Sequence, residues 1–398
     1  MDDLIAHVKA AAANADENER KKMIDDLRDL SIELETPWDS MQRIMYLQFQ
    51  LTGAQIGCDM KLFEIMVAKK EPMTVEQLSR ETESDPAFLG EFTPQLQVLL
   101  LLTKASVRLL RYLASVRMIR ETGKNTFEAN KVTEALAQRG SKGGIGHYFH
   151  SLGPTLQATP DYLAERKYQN ITDNTCAPAQ IAFNTNVPYF YWVQQQSRLI
   201  NYFGDFMVGQ RGEMPSWLSK YPVEEETKDW DPKKPVFVDV GGGFGHKCLE
   251  LRMEKPEVPG RVILQDLDHA IENALPMKDV ELEVHDFFTP QTVKGAKYYY
   301  MRNVLHDYPD EKCRIILKHL KDAMGPDSVI LIDDMVIPET GAHWHATQID
   351  LVMMTVLAST ERTVDEWHAL LASAGLKAKN IVQYTASLGD SIIVAVPV

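Results

Sequence analysis

Val238-Asp239-Val240-Gly241-Gly242-Gly243-Phe244-Gly245-His246 decides how this chain is read. A short apolar strand run, 235–240, ends at four glycines within five positions, and a helical stretch follows. Glycines there let the backbone come close to a ligand and aim amide donors at it. The next strand run ends at Asp266, 25 residues after Gly241, where an acid can accept both hydroxyls of a ribose. The dinucleotide spacing GxGxxG fails, because its third position is His246 counted from Gly241 and Gly243, or Cys248 counted from Gly243 and Gly245. No GxxxxGK[ST] phosphate loop is present. Asp239, just before the glycines, instead offers a negative charge to a cation. A nucleoside carrying a charged amino acid and a sulfonium suits that better than a pyrophosphate.

Working outward, 261–265, 280–284, 297–301 and 328–332 read as further strands, separated by helical stretches at 247–253, 270–275 and 310–324. Alternation of this kind predicts an α/β fold with a mostly parallel, doubly wound, Rossmann-like sheet. Two late runs, 379–384 and 391–396, joined by a turn at 387–390, predict a C-terminal antiparallel hairpin. Toward the N-terminus the pattern is helical. Residues 4–34 lack Gly and Pro, and 41–67 repeats apolar residues at spacings of three and four (Ile44, Leu47, Leu51, Ile56, Leu62, Ile65, Met66), the period of a core-facing stripe. Thr74 reads as a helix N-cap, another helix starts at 84–86, and 118–129 with its turn at 123–125 reads as a β-wing, together a winged-helix-like arrangement. The Pro- and charge-rich stretch 221–235 reads as a linker. The expected organisation is a helical winged-helix-like domain over 1–150, a helical connecting region over 151–230 and a ligand-binding α/β domain over 231–398.

The chain has 398 residues, 44% of them hydrophobic and 25% charged, with a formal net charge of −14, enough for a sizeable core. An acidic surface argues against non-specific binding to nucleic acid or an anionic membrane. Apolar runs such as 98–102 reach five residues, whereas a membrane span needs ~20. The N-terminus lacks the layout of a secretory signal. The four cysteines are at least 65 residues apart, which excludes CxxC motifs and a disulfide scaffold. A soluble, cytoplasmic protein is expected.

The blocks VDVGGGFGH (238–246), LQDL (264–267), HDFF (285–288), MRNVLHDYPDE (301–311), LIDDMVIPE (331–339) and STERTVDEWHALLASAGL (359–376) resemble the class I S-adenosylmethionine-dependent O-methyltransferases, specifically the fungal small-molecule enzymes related to plant caffeate-type ones. The likeness runs from 236 to the C-terminus and more weakly back to about 42. It implies S-adenosyl-L-methionine as cofactor, with Asp239, Gly241 and Gly243 on the methionyl part, Asp266 on the ribose, and Asp286 and Phe287 at the adenine. Arg302 stands where the family often has a Lys near the adenine. Residues 91–107 read as an insertion relative to the family, either an extra element or a retained intron in the gene model.

His306, between the strand 297–301 and a helix beginning at Asp310, sits where doubly wound sheets place ligands. Methylating a phenol calls for a base near neutral pH, and imidazole is suited to that. A carboxylate on its other ring nitrogen would fix the tautomer. The resemblance implies that these acids are Asp334, where plant members have Glu, and Glu361. The expected function is therefore methyl transfer to a phenolic or enolic hydroxyl of an aromatic or polyketide-type secondary metabolite. The alternative is a pericyclase or dehydratase that uses the same fold and cofactor pocket.

Other candidates carry less. His343 and His345 are two apart, which does not place them on one helix face, and no metal site is expected. His147 and His150 could face substrate or merely pack. The aromatic run 189–192 reads as helix core, and Met353-Met354 as core or pocket lining. Segment 74–90 has one basic residue, Arg80, against four acids, so it cannot face DNA phosphates. The resemblance implies instead that the N-terminal part forms a homodimer.

Overall fold

The computed structural model describes residues 1–84, 108–209, 215–385 and 388–398. The helix start expected at 84–86, apart from Ser84, and the apparent insertion at 91–107 lie outside the described residues. The chain divides into two compact units, Met1–Pro154 with Phe190–Gly212, and Thr155–Tyr189 with Glu213–Val398.

The first unit opens with helices α1 (Asp2–Asn14), α2 (Glu17–Glu33) and α3 (Pro37–Asp59). Reciprocal side-chain caps start two of them, Asp16 with Glu19 and Thr36 with Asp39. The stripe over 41–67 is split. Lys61 adopts a left-handed conformation (φ 53°), and a separate helix, Leu62–Lys69, follows. The two halves also differ in burial. Cys58, Leu62, Phe63 and Met66 are buried with Leu110, Leu113 and Phe127, whereas Ile44 and Leu47 are exposed. The capping box predicted at Thr74 is present, with Gln77 as its partner, and starts Val75–Glu81. Strands β1 (Met73–Thr74), β2 (Arg120–Gly123) and β3 (Thr126–Glu128) form a small antiparallel sheet in the order β1-β3-β2, with the β2–β3 hairpin at the expected wing.

The second unit is built on one mixed sheet. Its strands are β4 (Pro235–Val240), β5 (Arg261–Asp266), β6 (Val280–Val284), β7 (Tyr298–Arg302), β8 (Val329–Ile337), β9 (Arg362–Thr363), β10 (Leu376–Gln383) and β11 (Asp390–Pro397). The order is β10-β11-β8-β7-β4-β5-β6, with the short β9 alongside β8. β11 runs antiparallel to both its neighbours, as the predicted hairpin requires; part of the turn expected at 387–390 lies outside the described residues. Successive strand residues point to opposite faces. Val238, Tyr299, Met301, Ile330 and Ile332 pack with helices α5 (Asp310–Lys321) and α6 (Val364–Ser373). Phe237, Val262, Tyr298, Tyr300 and Leu331 pack with α4 (His246–Glu254). Both faces are covered, which explains why β4 is buried along its whole length.

The stretch read as a linker belongs to this second core. Tyr221, Val223 and Thr227 are buried, residues Val223–Thr227 form a short helix, and the Tyr221 and Tyr298 hydroxyls both donate to Glu226. Proline and charge marked it as a surface segment, but Tyr221, Val223 and Trp230 pack into the core on one face of the sheet.

Candidate active site

Parallel strands β4, β5 and β7 end together, and the glycine loop leaves β4 there. Gly241, Gly243 and Gly245 all have positive φ (73°, 60° and 87°), a conformation that side chains resist. The Gly241 and Gly242 amides bond the Gln265 carbonyl, and the Gly243 amide donates to Asp266 Oδ2 at 2.8 Å. Gly242 is locked by space as well, since a Cβ there would lie 2.4 Å from Asp239 Cγ.

Asp239 lies beneath this loop and is fully buried. Cys248 Sγ is 3.6 Å from its Oδ2, and its Oδ1 has no hydrogen-bond partner among the described residues. Burial raises its carboxyl to about 7. A buried acid with an idle oxygen under backbone amides fits the cationic amino-acid end of a cofactor. Asp266 ends β5, and burial raises its carboxyl too, against bonds from the Gly243 and Leu267 amides. The Phe287 ring lies against Gly241, with its Cε1 3.2 Å from where a Cβ would stand, and it meets Phe288 and Tyr308 edge-on. Asp286 accepts from the Phe288 amide at 2.9 Å and so holds the turn that presents this ring.

Arg302 is differently employed. Its Nη1 donates to Asp333 Oδ2 at 2.6 Å and to the Tyr384 hydroxyl at 2.7 Å, while Tyr384 and Tyr300 both donate to Asp333. The cation that the resemblance places near the adenine is thus held by a buried acid and by the Tyr384 hydroxyl. Residues 333 and 334 are consecutive on β8, so they face opposite sides of the sheet: Asp333 serves Arg302, and Asp334 faces the side of His306.

His306 lies on a single 3₁₀ turn, Leu305–Asp307, just past Val304, whose Cγ2 is 3.1 Å from the hypothetical Gly241 Cβ. The base candidate therefore stands two residues beyond a contact with the glycine loop. Its Nδ1 is 2.7 Å from Glu361 Oε1, and its Nε2 is 3.4 Å from Asp307 Oδ1. Burial disfavours the charged ring, but Glu361 and Asp307 outweigh it and raise the imidazole to about 10. Of the two carboxylates expected to hold the ring, Glu361 does so. Both oxygens of Asp334 are buried without a hydrogen-bond partner among the described residues, and burial raises this carboxyl to about 8, against the pull of His306. The shorter Asp side chain stops short of the ring. Asp307, paired with the base in the sequence, adds its charge to the ring, and one support escapes sequence reading. Asp350 Oδ1 accepts from the Glu361 amide at 2.8 Å, a pairing eleven residues apart with no sequence signal.

The lesser candidates have structural places. The His147 ring stacks on Phe206, and burial lowers it to about 4. His150 stacks on Tyr202 and lies 3.0 Å from Arg198 Nη2. Among the described residues no group of three or more His, Cys, Asp or Glu is placed to hold a metal, and no helix is long and apolar enough to cross a membrane.

Residues 232–377 match the model of an O-methyltransferase domain. The chain is 39% identical to a 16-O-methyltransferase of Alternaria brassicicola, covering 99% of this chain and 95% of that protein. It is 35% identical to the demethylsterigmatocystin 6-O-methyltransferase of Aspergillus parasiticus, covering 100% and 98%. Among solved structures it is similar to LepI in complex with S-adenosylmethionine and to a structure described as a pericyclic reaction enzyme. Each is 37% identical with a TM-score of 0.90, over 99% of this chain and 98% of the other.

Proposed function

The chain belongs to the S-adenosylmethionine-dependent O-methyltransferases, and from that premise we propose that it methylates a phenolic or enolic hydroxyl of an aromatic, polyketide-type metabolite with His306 as general base. The observation that carries the assignment of the base is the buried His306–Glu361 pair, two residues beyond the contact between Val304 and the glycine loop. When bound, the cofactor supplies an electrophilic methyl group on a sulfonium. Asp239, Gly241 and Gly243 are the residues to hold its methionyl end, Asp266 its ribose, and Asp286 with Phe287 its adenine. Arg302, fixed by Asp333, sets the electrostatics beside Asp239 rather than pairing with the cofactor. On the acceptor side, His306 Nε2 takes the hydroxyl proton while Glu361 holds Nδ1 and steadies the ring that has become charged. A ring at about 10 matches a phenol's ~10, so the proton moves between near-equal partners. Positioning of the two reactants supplies much of the remaining acceleration.

The first unit is proposed as a winged-helix-like homodimerisation domain, supported by the β2–β3 hairpin and by the apolar residues exposed on α1–α3. A cytoplasmic location is part of the same reading. The organisation proposed remains 1–150 for dimerisation, 151–230 for connection and 231–398 for catalysis.

One observation favours a second reading: the 37% identity to a pericyclic reaction enzyme. Incubating the protein with methyl-labelled S-adenosylmethionine and a panel of phenolic polyketides separates the two. Label in the acceptor with equimolar S-adenosylhomocysteine is expected. Turnover of a substrate with no S-adenosylhomocysteine formed would decide for pericyclic chemistry.

A further inference from the structure

The residue after Glu361 is a fully buried arginine to which the reading so far gives no role. Arg362 is 2% exposed, yet it does not pair with the carboxylates nearest the base. Its Nη1 donates to the Leu305 carbonyl at 3.1 Å and its Nη2 to the Tyr308 carbonyl at 3.2 Å. Those two carbonyls flank His306 and Asp307. One planar guanidinium thus spans the turn that carries the base, adding a charged donor to the Leu305 carbonyl, which also accepts from the Tyr308 amide at 3.3 Å, and bonding the Tyr308 carbonyl just past the turn's end. Cys313 Sγ approaches the same two carbonyls at 3.2 Å each, but a thiol is a weak donor. The charge of Arg362 is balanced from outside by Asp310, whose Oδ1 accepts at 2.7 Å and whose side chain is half-exposed.

The same short segment is tied on every side. Ser359 Oγ donates to the Tyr308 carbonyl at 2.9 Å, Asp350 holds the Glu361 amide, and Arg362 pairs with Val336 of β8. Glu361 and Arg362 therefore grip the base from two directions, one through the ring and one through the backbone of its turn. We infer that Arg362 is a positioning residue for the methyl-transfer base, clamping the Leu305–Asp307 turn so that His306 meets Glu361 in one fixed geometry. This inference rests on the reading of His306 as the base. The fork is what the geometry uses: a lysine brings a point charge and cannot bond two carbonyls at fixed spacing.

The test is Arg362→Lys, compared with wild type and His306→Ala. The acceptor is whichever phenol takes label in the screen above, and S-adenosylhomocysteine is the binding probe. A displacement of about 1 Å in a reacting group costs up to ~10²-fold, so kcat in R362K is expected to fall about 10- to 100-fold while calorimetric affinity for S-adenosylhomocysteine holds. By proton NMR, the downfield Nδ1 resonance that H306A lacks is expected to shift or broaden in R362K. Wild-type kcat with an unshifted resonance in R362K would overturn the clamp, as would a loss of S-adenosylhomocysteine affinity parallel to the loss of kcat. Asp310→Asn releases the guanidinium from the exposed side and is expected to reproduce part of both changes; if R362K does not fold, it carries the test by the same readouts. Retained turnover in H306A would overturn the base reading instead, and the resonance would still report on the clamp.

Discussion

At His306 two carboxylates set the pH at which the base can work. Glu361 and Asp307 raise the ring to about 10 in the free protein, so at pH 7 it carries a proton and must lose it before accepting another. Because kcat/KM reports the free enzyme's ionisation, it should climb roughly tenfold per pH unit between 7 and 9. Glu361→Gln removes the foremost charge holding that proton. The ring then falls toward its ordinary value, the acid limb moves to lower pH, and the ratio of rates at pH 9 and pH 7 shrinks. An unchanged profile in E361Q would contradict the pairing. His306→Ala should lose ~10²- to 10⁴-fold of methyl transfer with S-adenosylhomocysteine affinity nearly unchanged, and should partly recover as pH approaches the phenol's own ~10. Asp239 titrates in the same sense, with its effect on binding. Burial raises it to about 7, whereas a cationic cofactor favours its ionised form. S-adenosylmethionine should therefore bind about tenfold more weakly at pH 6 than at pH 8. Calorimetry at the two pH values in matched salt measures this, and equal affinities would remove Asp239 from the methionyl site.

Among the elements, the glycine loop shows which features a sequence discloses. Four glycines announced a close backbone approach, and the three with positive φ explain part of that demand. Gly242 answers to a different cause, the Asp239 carboxylate 2.4 Å from where its Cβ would be, and no spacing rule points to it. Gly242→Ala should displace Asp239 or the loop and abolish S-adenosylhomocysteine binding in a protein that still folds by circular dichroism; retained affinity would show that the loop can yield. The strands β4, β5 and β7 are legible because burial on both faces makes them near-continuous apolar runs. The sequence predicts the β8 strand only over 328–332. In the structure β8 continues to Ile337, because Tyr300, Arg302 and Tyr384 take up Asp333 from the neighbouring elements. β9, two residues long, has no period to detect. The same limit applies to the site. His306 and Glu361 could be located by their motifs, whereas the partner of Arg302 and the clamp of Arg362 depend on contacts 31 to 57 residues apart.

For the molecule as a whole, the open question is what covers α1 to α3. Trp38, Met41, Met45 and Phe49 follow one another along α3 at spacings of three and four, and each is roughly half or more exposed. Leu27, Leu30 and Leu34 extend the apolar surface onto α2 and the residue that ends it. Single exposed apolar residues need no explanation, but a continuous stripe along a helix marks an interface. The stripe also accounts for the one misreading in the helical part: 41–67 has the period of a buried helix throughout, but within one chain only its second half meets a core. Period reports that a face is apolar and not which chain covers it. A second copy is the occupant that the family reading supplies. Light scattering at micromolar concentration should therefore give twice the chain mass. Met41→Asp combined with Met45→Asp places two charges in the stripe without touching the core of either unit, and should give single chains whose S-adenosylhomocysteine affinity is retained. A wild-type protein of single-chain mass would refute the dimer, and a double variant still at twice the mass would move the interface off α3.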